Sequence, residues 1–156
     1  MVHINSISYI YPFGNILFIF IKLCYNSSMN KVLIADDSQS WLNHHEAVLR
    51  NLFGDNISIT TALSASEAND ELYLNISEPY NTILTDMQME SDFLPLYAGE
   101  WLIEQIQKLP AYKNTRVIII SATPSIRLIA EKYNVDYLPK YNCKDITKYK
   151  EIFNIT

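Results

Sequence analysis

Short apolar runs alternate with amphipathic stretches along the chain from residue 30 onward. The runs that predict strands are Val32–Ala35, Ile57–Thr61, Thr82–Thr85, Arg116–Ile120 and Val135–Leu138. The first is continuously apolar, as in strands buried on both faces, and the stretches between the runs carry apolar residues at helical spacing. This alternation predicts five parallel strands joined by right-handed helical crossovers, with helices on both faces of one sheet.

Residues that cap or stop helices separate these stretches. Gly54 is expected to end the first helix and Pro110 the third, since glycine and proline mark helix C-termini. Pro124 suits the first turn of the fourth helix, where its missing N–H costs nothing. We therefore expect a helix after each of the five strands.

The composition favours one compact acidic domain. The chain has 156 residues, of which 49% are hydrophobic and 19% charged, so a sizeable core can form. The formal net charge of -5 disfavours direct nucleic-acid binding, because phosphate backbones repel an acidic chain. The two cysteines, Cys24 and Cys143, form neither a metal-type cluster nor a disulfide framework, which predicts a reducing, cytoplasmic location.

Residues 1–29 differ from the remainder. The apolar stretch Ile16–Ile21 is soon interrupted by Lys22, so it is too short for a spanning helix and lacks the charged segment of a signal peptide. Met29 immediately precedes the first strand signal, Lys31–Ala35, and we expect it to be the true start, with residues 1–29 forming an N-terminal extension outside the native domain. A membrane-associating tail or an extra packing segment are the alternatives. Residues 30–156 are then the domain, with no room for an output domain.

Polar residues follow four of the predicted strands. Asp36 and Asp37 follow the first, Asp86 the third, Ser121 the fourth and Lys140 the fifth. The carboxyl ends of parallel strands share one edge of a sheet, where ligands gather. Each residue alone is commonplace as a turn, a cap or a solvated lysine, but their occurrence together in this order indicates a functional site.

These residue types suit phosphoryl transfer. Three carboxylates at one site repel each other, and a divalent cation that prefers oxygen ligands, Mg²⁺, relieves the repulsion. Lys140 and Ser121 supply a cation and a hydroxyl for phosphoryl oxygens. A carboxylate nucleophile, a metal and two phosphoryl partners are what in-line transfer needs.

The motifs around these residues resemble a known family. They are Lys31-Val-Leu-Ile-Ala-Asp-Asp37, Thr82-Ile-Leu-Thr-Asp-Met87, Val117-Ile-Ile-Ile-Ser-Ala122 and Asp136-Tyr-Leu-Pro-Lys140. From Asn30 to Thr156 the chain resembles the receiver domains of bacterial two-component response regulators. The resemblance implies an α/β, flavodoxin-like (βα)5 fold, a doubly wound parallel sheet of strand order 2-1-3-4-5.

The resemblance also implies a role for each site residue. Asp86 would be the phosphoacceptor, and Mg²⁺ would be held by Asp36, Asp37, Asp86 and the backbone carbonyl of Gln88. Ser121 and Lys140 would contact the phosphoryl group, and Ser121 and Tyr137 would form the conformational switch. The implied partners are a histidine kinase or phosphotransfer protein and a target that binds helix four, strand five and helix five. The protein would be a phosphoacceptor with slow autodephosphorylation, not an enzyme.

Two features depart from the family pattern. Tyr141 follows Lys140 where a proline is usual, and Pro139 precedes it, so the turn that places the lysine could differ. Gly99 lies 13 positions after Asp86, which makes the Met87–Ala98 loop about five residues longer than expected. The extra residues could cover the pocket or contact a partner, or be a tolerated surface insertion.

Two other functions fit less well. A haloacid-dehalogenase-type phosphohydrolase places its carboxylates two positions apart on strand one, whereas Asp36 and Asp37 are adjacent. A pseudo-receiver that binds partners without phosphorylation would not need the complete set of site residues.

Other candidate residues carry weaker signals. His44 and His45 are adjacent on a helix, so we expect them to point to different faces and not to share a metal. Trp41 and Trp101 are interpreted as packing residues. Only three glycines occur, which disfavours a glycine-rich nucleotide-binding loop.

Overall fold

The computed structural model describes residues 29–89 and 97–155. Within them, five parallel strands form one sheet of order β2-β1-β3-β4-β5, which confirms the predicted fold. The strands are β1 (Asn30–Ala35), β2 (Ile57–Ala62), β3 (Thr82–Asp86), β4 (Arg116–Ser121) and β5 (Asp136–Pro139). The helices are α1 (Gln39–Phe53), α2 (Ala65–Leu74), α3 (Ala98–Lys108), α4 (Ile126–Tyr133) and α5 (Ile146–Phe153). Most of the N-terminal extension and most of the long loop lie outside the described residues, so the interpretations of both stay predictions.

Side chains on neighbouring positions of each central strand enter opposite cores. In β1, Val32 and Ile34 pack with Leu49 of α1 and Tyr149 of α5. Leu33, the residue between them, packs on the other face with α2, α3 and α4. Burying such a side chain stabilises the fold by about 1.5–3 kcal/mol, which explains why the strands are apolar on both faces.

Local hydrogen bonds fix where several helices begin. The Ser64 side chain accepts a hydrogen bond from the Glu67 N–H at the start of α2, and Asp145 caps α5 in the same way. The expectation that Pro124 lies in the first turn of α4 was wrong, since α4 begins at Ile126. The Ile126 N–H donates to the Thr123 carbonyl, so Pro124 lies inside a turn that precedes the helix.

The strand register brings the predicted polar residues to one edge of the sheet. Ala35 is paired with Thr85, so Asp36 and Asp86 follow neighbouring positions of β1 and β3. Ser121 is paired with Pro139, which places the start of the Lys140 segment beside the end of β4. None of the helices in the described ranges is long and apolar enough to cross a membrane.

Candidate site at the carboxyl ends of the strands

Three carboxylates meet at the edge where β1 and β3 end. Asp36, Asp37 and Asp86 each offer an oxygen atom that lies within 4.8 Å of the oxygens of the other two. Asp36 and Asp86 are buried, with 1% and 5% of their surface exposed, while Asp37 is exposed. The structure therefore brings together the three acidic residues that the sequence singled out, and leaves one of them open to solvent.

Lys140 joins the two buried carboxylates. Its Nζ atom donates a hydrogen bond to Asp86 Oδ2 over 2.8 Å and lies 2.9 Å from Asp36 Oδ2. The residue begins a short 3-10 turn, Lys140–Asn142, directly after β5. The lysine reaches the acidic residues even though Tyr141 stands where a proline is usual.

The remaining carboxylate oxygens show what the site could hold. Asp86 Oδ1 accepts a hydrogen bond from the Met87 N–H over 2.7 Å, and Asp36 Oδ1 accepts one from the Ser38 N–H over 2.9 Å. Asp36 Oδ2 is buried, and the ion pair with the Lys140 ammonium over 2.9 Å is the polar contact it makes among the described residues. A buried carboxylate oxygen of this kind, beside two further carboxylates, fits a divalent cation that takes oxygen ligands.

Burial and the neighbouring charges shift the pKa values of this group. Burial raises the pKa of Asp86; the hydrogen bond from Lys140 opposes that rise, and the Asp36 charge adds to it. For Lys140, burial lowers the pKa, but the hydrogen bonds to Asp86 and Asp36 outweigh burial, so the net shift is upward. Lys140 therefore stays protonated at neutral pH and favours the ionised form of Asp86.

The predicted switch residues lie at the end of β4 and on β5. Ser121 is buried, and its hydroxyl accepts the Thr123 N–H over 3.1 Å and bonds the Thr123 hydroxyl over 3.1 Å. The Tyr137 side chain lies at the surface, with 38% exposed. Gln88 is exposed two positions after Asp86, and its carbonyl as a metal ligand stays a prediction.

Gly99 packs against the backbone of the candidate phosphoacceptor. Its N–H donates to the Met87 carbonyl over 3.2 Å. In the sequence Gly99 stood out only by its unusual distance from Asp86. The structure shows that this glycine, at the second position of α3, closes the segment back onto the end of β3.

Trp41 is a residue whose contact the sequence did not predict. Trp41 packs against the core as the sequence predicts, and in addition the Lys140 Nζ atom lies over its ring, 5.2 Å from the ring centroid. The available signal was its place in the first turn of α1, five positions after Asp36. That turn begins at the same edge of the sheet as the acidic residues.

The sequence and the fold of the chain were compared with those of known proteins. Neither a family model nor a curated protein sequence matches the chain. Solved structures do match it. The phosphorylated cyanobacterial phytochrome response regulator RcpA superposes with a TM-score of 0.66 at 18% identity, covering 82% of this chain and 96% of that one.

Two further response regulators match over similar lengths. The Mn(2+)-bound form of response regulator Rcp1 gives a TM-score of 0.63 at 16% identity, covering 81% of this chain and 96% of that one. A two-component response regulator from Legionella pneumophila gives 0.58 at 21% identity, covering 81% and 98%. The chain therefore has the fold of response-regulator receiver domains.

Proposed function

We propose that this chain is a response-regulator receiver that takes a phosphoryl group onto Asp86 from a histidine kinase or a phosphotransfer protein. The observation that carries the proposal is the Lys140 ammonium, which bridges the buried carboxylates of Asp36 and Asp86 at 2.9 and 2.8 Å. An ammonium held against a buried carboxylate at the ligand-binding edge of a parallel sheet suits a reaction with an anionic group. The receiver fold supports the same function.

The reaction is a direct transfer. A carboxylate oxygen of Asp86 attacks the phosphorus of a phosphohistidine, and an O–P bond forms. The P–N bond of the donor breaks, and its electron pair stays on the imidazole nitrogen. Lys140 neutralises the phosphoryl oxygens that an anionic nucleophile must approach, and its hydrogen bond to Asp86 favours the ionised, nucleophilic form.

A divalent cation completes the proposed site. Asp36, Asp37 and Asp86 would hold Mg²⁺ together with the Gln88 carbonyl, and the three carboxylate oxygens that lie within 4.8 Å of one another support this. When bound, Mg²⁺ would offset the repulsion between the carboxylates and neutralise charge on the transferring phosphoryl group. The exposed Asp37 leaves that side of the cluster open to solvent, from which a cation and a phosphodonor can enter.

Ser121 and Tyr137 would report the phosphoryl group to the surface. Ser121 bonds Thr123 in the present structure, and its hydroxyl would turn to a phosphoryl oxygen on Asp86. The exposed Tyr137 ring on β5 would then turn inward. A target protein would read this change on α4, β5 and α5. We place the protein in the cytoplasm, without direct nucleic-acid contacts.

The acyl phosphate on Asp86 would be lost again slowly. Water attacks the phosphorus, the O–P bond to Asp86 breaks, and inorganic phosphate leaves. The protein is therefore a signalling phosphoprotein that promotes its own phosphorylation and dephosphorylation, and not an enzyme that turns over a separate substrate.

Intact-mass measurement with acetyl phosphate tests this function without a kinase. With Mg²⁺ the parent should gain one phosphoryl group, and EDTA should prevent the gain. Asp86→Asn should gain none, because an amide does not attack phosphorus, whereas Asp70→Asn, an exposed change of the same charge on α2, should behave like the parent. Labelling that persists in Asp86→Asn would place the chemistry elsewhere, and an unlabelled parent would favour a binding module.

A further inference from the structure

The Lys140 ammonium has a third neighbour besides its two carboxylates. The indole ring of Trp41 lies with its centroid 5.2 Å from Lys140 Nζ, within the range in which a cation is attracted to the face of an aromatic ring. Trp41 is partly buried in the first turn of α1, and only 14% of the Lys140 side chain is exposed. The contact is therefore largely shielded from water, where such an attraction is stronger.

The indole ring is itself fixed by an aromatic cluster formed by Trp41, His44, His45 and Tyr149. Trp41 stacks on His45, with centroids 5.4 Å apart and planes at 20°, and meets the edge of His44 at 5.5 Å and 89°. His45 Nδ1 shares a hydrogen bond with the Tyr149 hydroxyl of α5, and His44 Nε2 one with the Cys143 carbonyl over 2.7 Å. These contacts fix the Trp41 ring between α1 and the α5 region.

An indole ring restrains a lysine differently from a carboxylate. The ammonium has three N–H donors, and in this structure two carboxylates lie within bonding distance of it. The ring attracts the cation through its quadrupole and takes no classical hydrogen bond from it, so it does not neutralise the charge. That charge and a donor stay available for a phosphoryl oxygen.

Phosphoryl transfer makes this restraint useful. A phosphoryl group on Asp86 takes Lys140 away from a carboxylate oxygen, so at that moment the long side chain would otherwise be free to swing into solvent. Lys140 can keep its contact with the Trp41 ring whether its hydrogen-bond partner is the carboxylate or a phosphoryl oxygen. The ring could thus keep the ammonium beside Asp86 before and after the exchange.

We propose that Trp41 is a positioning residue that keeps the Lys140 ammonium beside Asp86 during phosphoryl transfer. Its effect on transfer rests on the function proposed above. The restraint on Lys140 rests on the cation–ring contact and the aromatic cluster alone.

Fluorinated tryptophan tests the restraint without changing the shape of the side chain. The chain has two tryptophans, Trp41 and Trp101, and both would be replaced by analogues with one to four ring fluorines. Each fluorine weakens the negative face of the ring. The rate of labelling by acetyl phosphate at saturating Mg²⁺ should fall stepwise, by about 2- to 30-fold over the series. The Trp41→Phe variant, fluorinated only at Trp101, should show no such series.

NMR of Lys140 gives a second readout that needs no phosphate. The indole ring current should shift the Cε protons of Lys140, and the restrained ammonium should give an observable ¹H–¹⁵Nζ signal. Trp41→Leu should lose the shift and broaden the signal, and fluorination should weaken both in steps. Thermal unfolding of each protein shows whether the fold is kept, and the fluorinated series remains decisive even if Trp41→Leu does not fold.

The outcomes separate the two proposals. If neither the labelling rate nor the Lys140 NMR signals change with fluorination, Trp41 is only a packing residue. The proposed acceptance of phosphate by Asp86 is unaffected by that result. If the parent accepts no phosphate but the Lys140 signals follow the fluorine series, the restraint stands and the proposed function fails.

Discussion

A Cβ atom added to Gly99 would lie 2.2 Å from the backbone oxygen of Asp86 and 2.8 Å from the Cα atom of Met87. Real side chains do not approach a backbone so closely, so the first turn of α3 packs against the end of β3 at a distance that only glycine allows. The position of the Asp86 backbone is therefore coupled to the start of α3.

We predict that Gly99→Ala destabilises the protein. Alanine normally stabilises a helix relative to glycine by about 0.5–1 kcal/mol, but here its methyl group must displace backbone atoms. Overpacking of this kind costs about 1–3 kcal/mol, so the net change in the free energy of unfolding should be negative. Urea unfolding measures it, and a more stable variant would contradict the close approach.

Gly54→Ala is the matched control for that prediction. Gly54 has a φ of +57° and no atom within 4 Å of an added Cβ, so alanine there meets backbone strain but no steric contact. It should lower the free energy of unfolding by about 1–3 kcal/mol without altering the thermal stabilisation expected from Mg²⁺. Gly99→Ala, by contrast, should weaken that response too, because it shifts Asp86.

We predict that Mg²⁺ raises the melting temperature and that Asp37 is needed for most of the gain. A ligand that binds only the folded state stabilises it by an amount that grows with its concentration over its dissociation constant. Asp37 is exposed, so Asp37→Asn should replace a charged carboxylate ligand with a neutral, weaker amide ligand, with little effect on the fold itself. Calorimetry with and without millimolar-range Mg²⁺, at constant ionic strength, measures the gain.

The exposed Asp70 provides the control for the magnesium prediction. Asp70→Asn removes the same charge from α2 and should keep the full Mg²⁺ response. An equal loss in both variants would indicate a general charge effect and would count against a site at Asp37.

We predict that His45 makes the protein less stable as the pH falls from about 6.5 toward 3. Burial lowers the pKa of His45 to about 3, and the charges of His44 and Lys140 act in the same direction. Between these two pH values the unfolded chain therefore binds a proton at His45, whereas the folded protein does not. The contribution of neutral His45 to the free energy of unfolding is fully present above the unfolded pKa of about 6.5, and it falls by about 1.4 kcal/mol per pH unit below that value.

A variant that cannot titrate isolates this contribution. His45→Gln should give a shallower dependence of the unfolding free energy on pH between 6.5 and 4, measured by urea unfolding of both proteins. Equal slopes for parent and variant would mean that His45 does not remain neutral in the folded protein.

The acidic site could be predicted from the sequence because its geometry follows from the topology. Asp36, Asp86 and Lys140 come at or directly after the ends of strands, and parallel strands end at one edge whatever their side chains are. The bridge formed by Lys140 between the carboxylates needed only that the turn after β5 point inward. That requirement was met with Tyr141 in place of the usual proline.

Contacts between helices could not be predicted in the same way. Trp41 meets Lys140 only because of the rotation of α1 about its axis and the path of the turn after β5, which no local pattern encodes. His44 and His45 were expected to point to different faces, yet their ring centroids lie 6.5 and 6.1 Å from that of Tyr149. Two rings about 100° apart on one helix can both reach a neighbouring helix.

The start of α4 shows how a side-chain hydrogen bond can override a sequence signal. Proline favours the first helical turn and predicts Pro124 there, but Ser121 bonds both the N–H and the hydroxyl of Thr123. These bonds stabilise a turn before the helix, and α4 begins at Ile126.

The turn that precedes α4 should respond to a phosphoryl group on Asp86. A phosphoryl group on Asp86 would draw the Ser121 hydroxyl away from Thr123, which removes the bond from the Thr123 N–H and frees the segment that leads into α4. Beryllofluoride, which mimics a phosphoryl group, should therefore shift the amide NMR signals of Thr123, of the first turn of α4 and of Tyr137.

In Ser121→Ala the shifts at α4 and Tyr137 should shrink several-fold, whereas labelling of Asp86 by acetyl phosphate should persist, since the serine is not the nucleophile. Thr123→Val keeps the backbone N–H at position 123. The shifts should therefore be retained, because the hydrogen bond from this N–H to Ser121 is still present to be broken. Equal shifts in Ser121→Ala and parent would remove Ser121 from the switch, and loss of labelling would instead assign it to the transfer step.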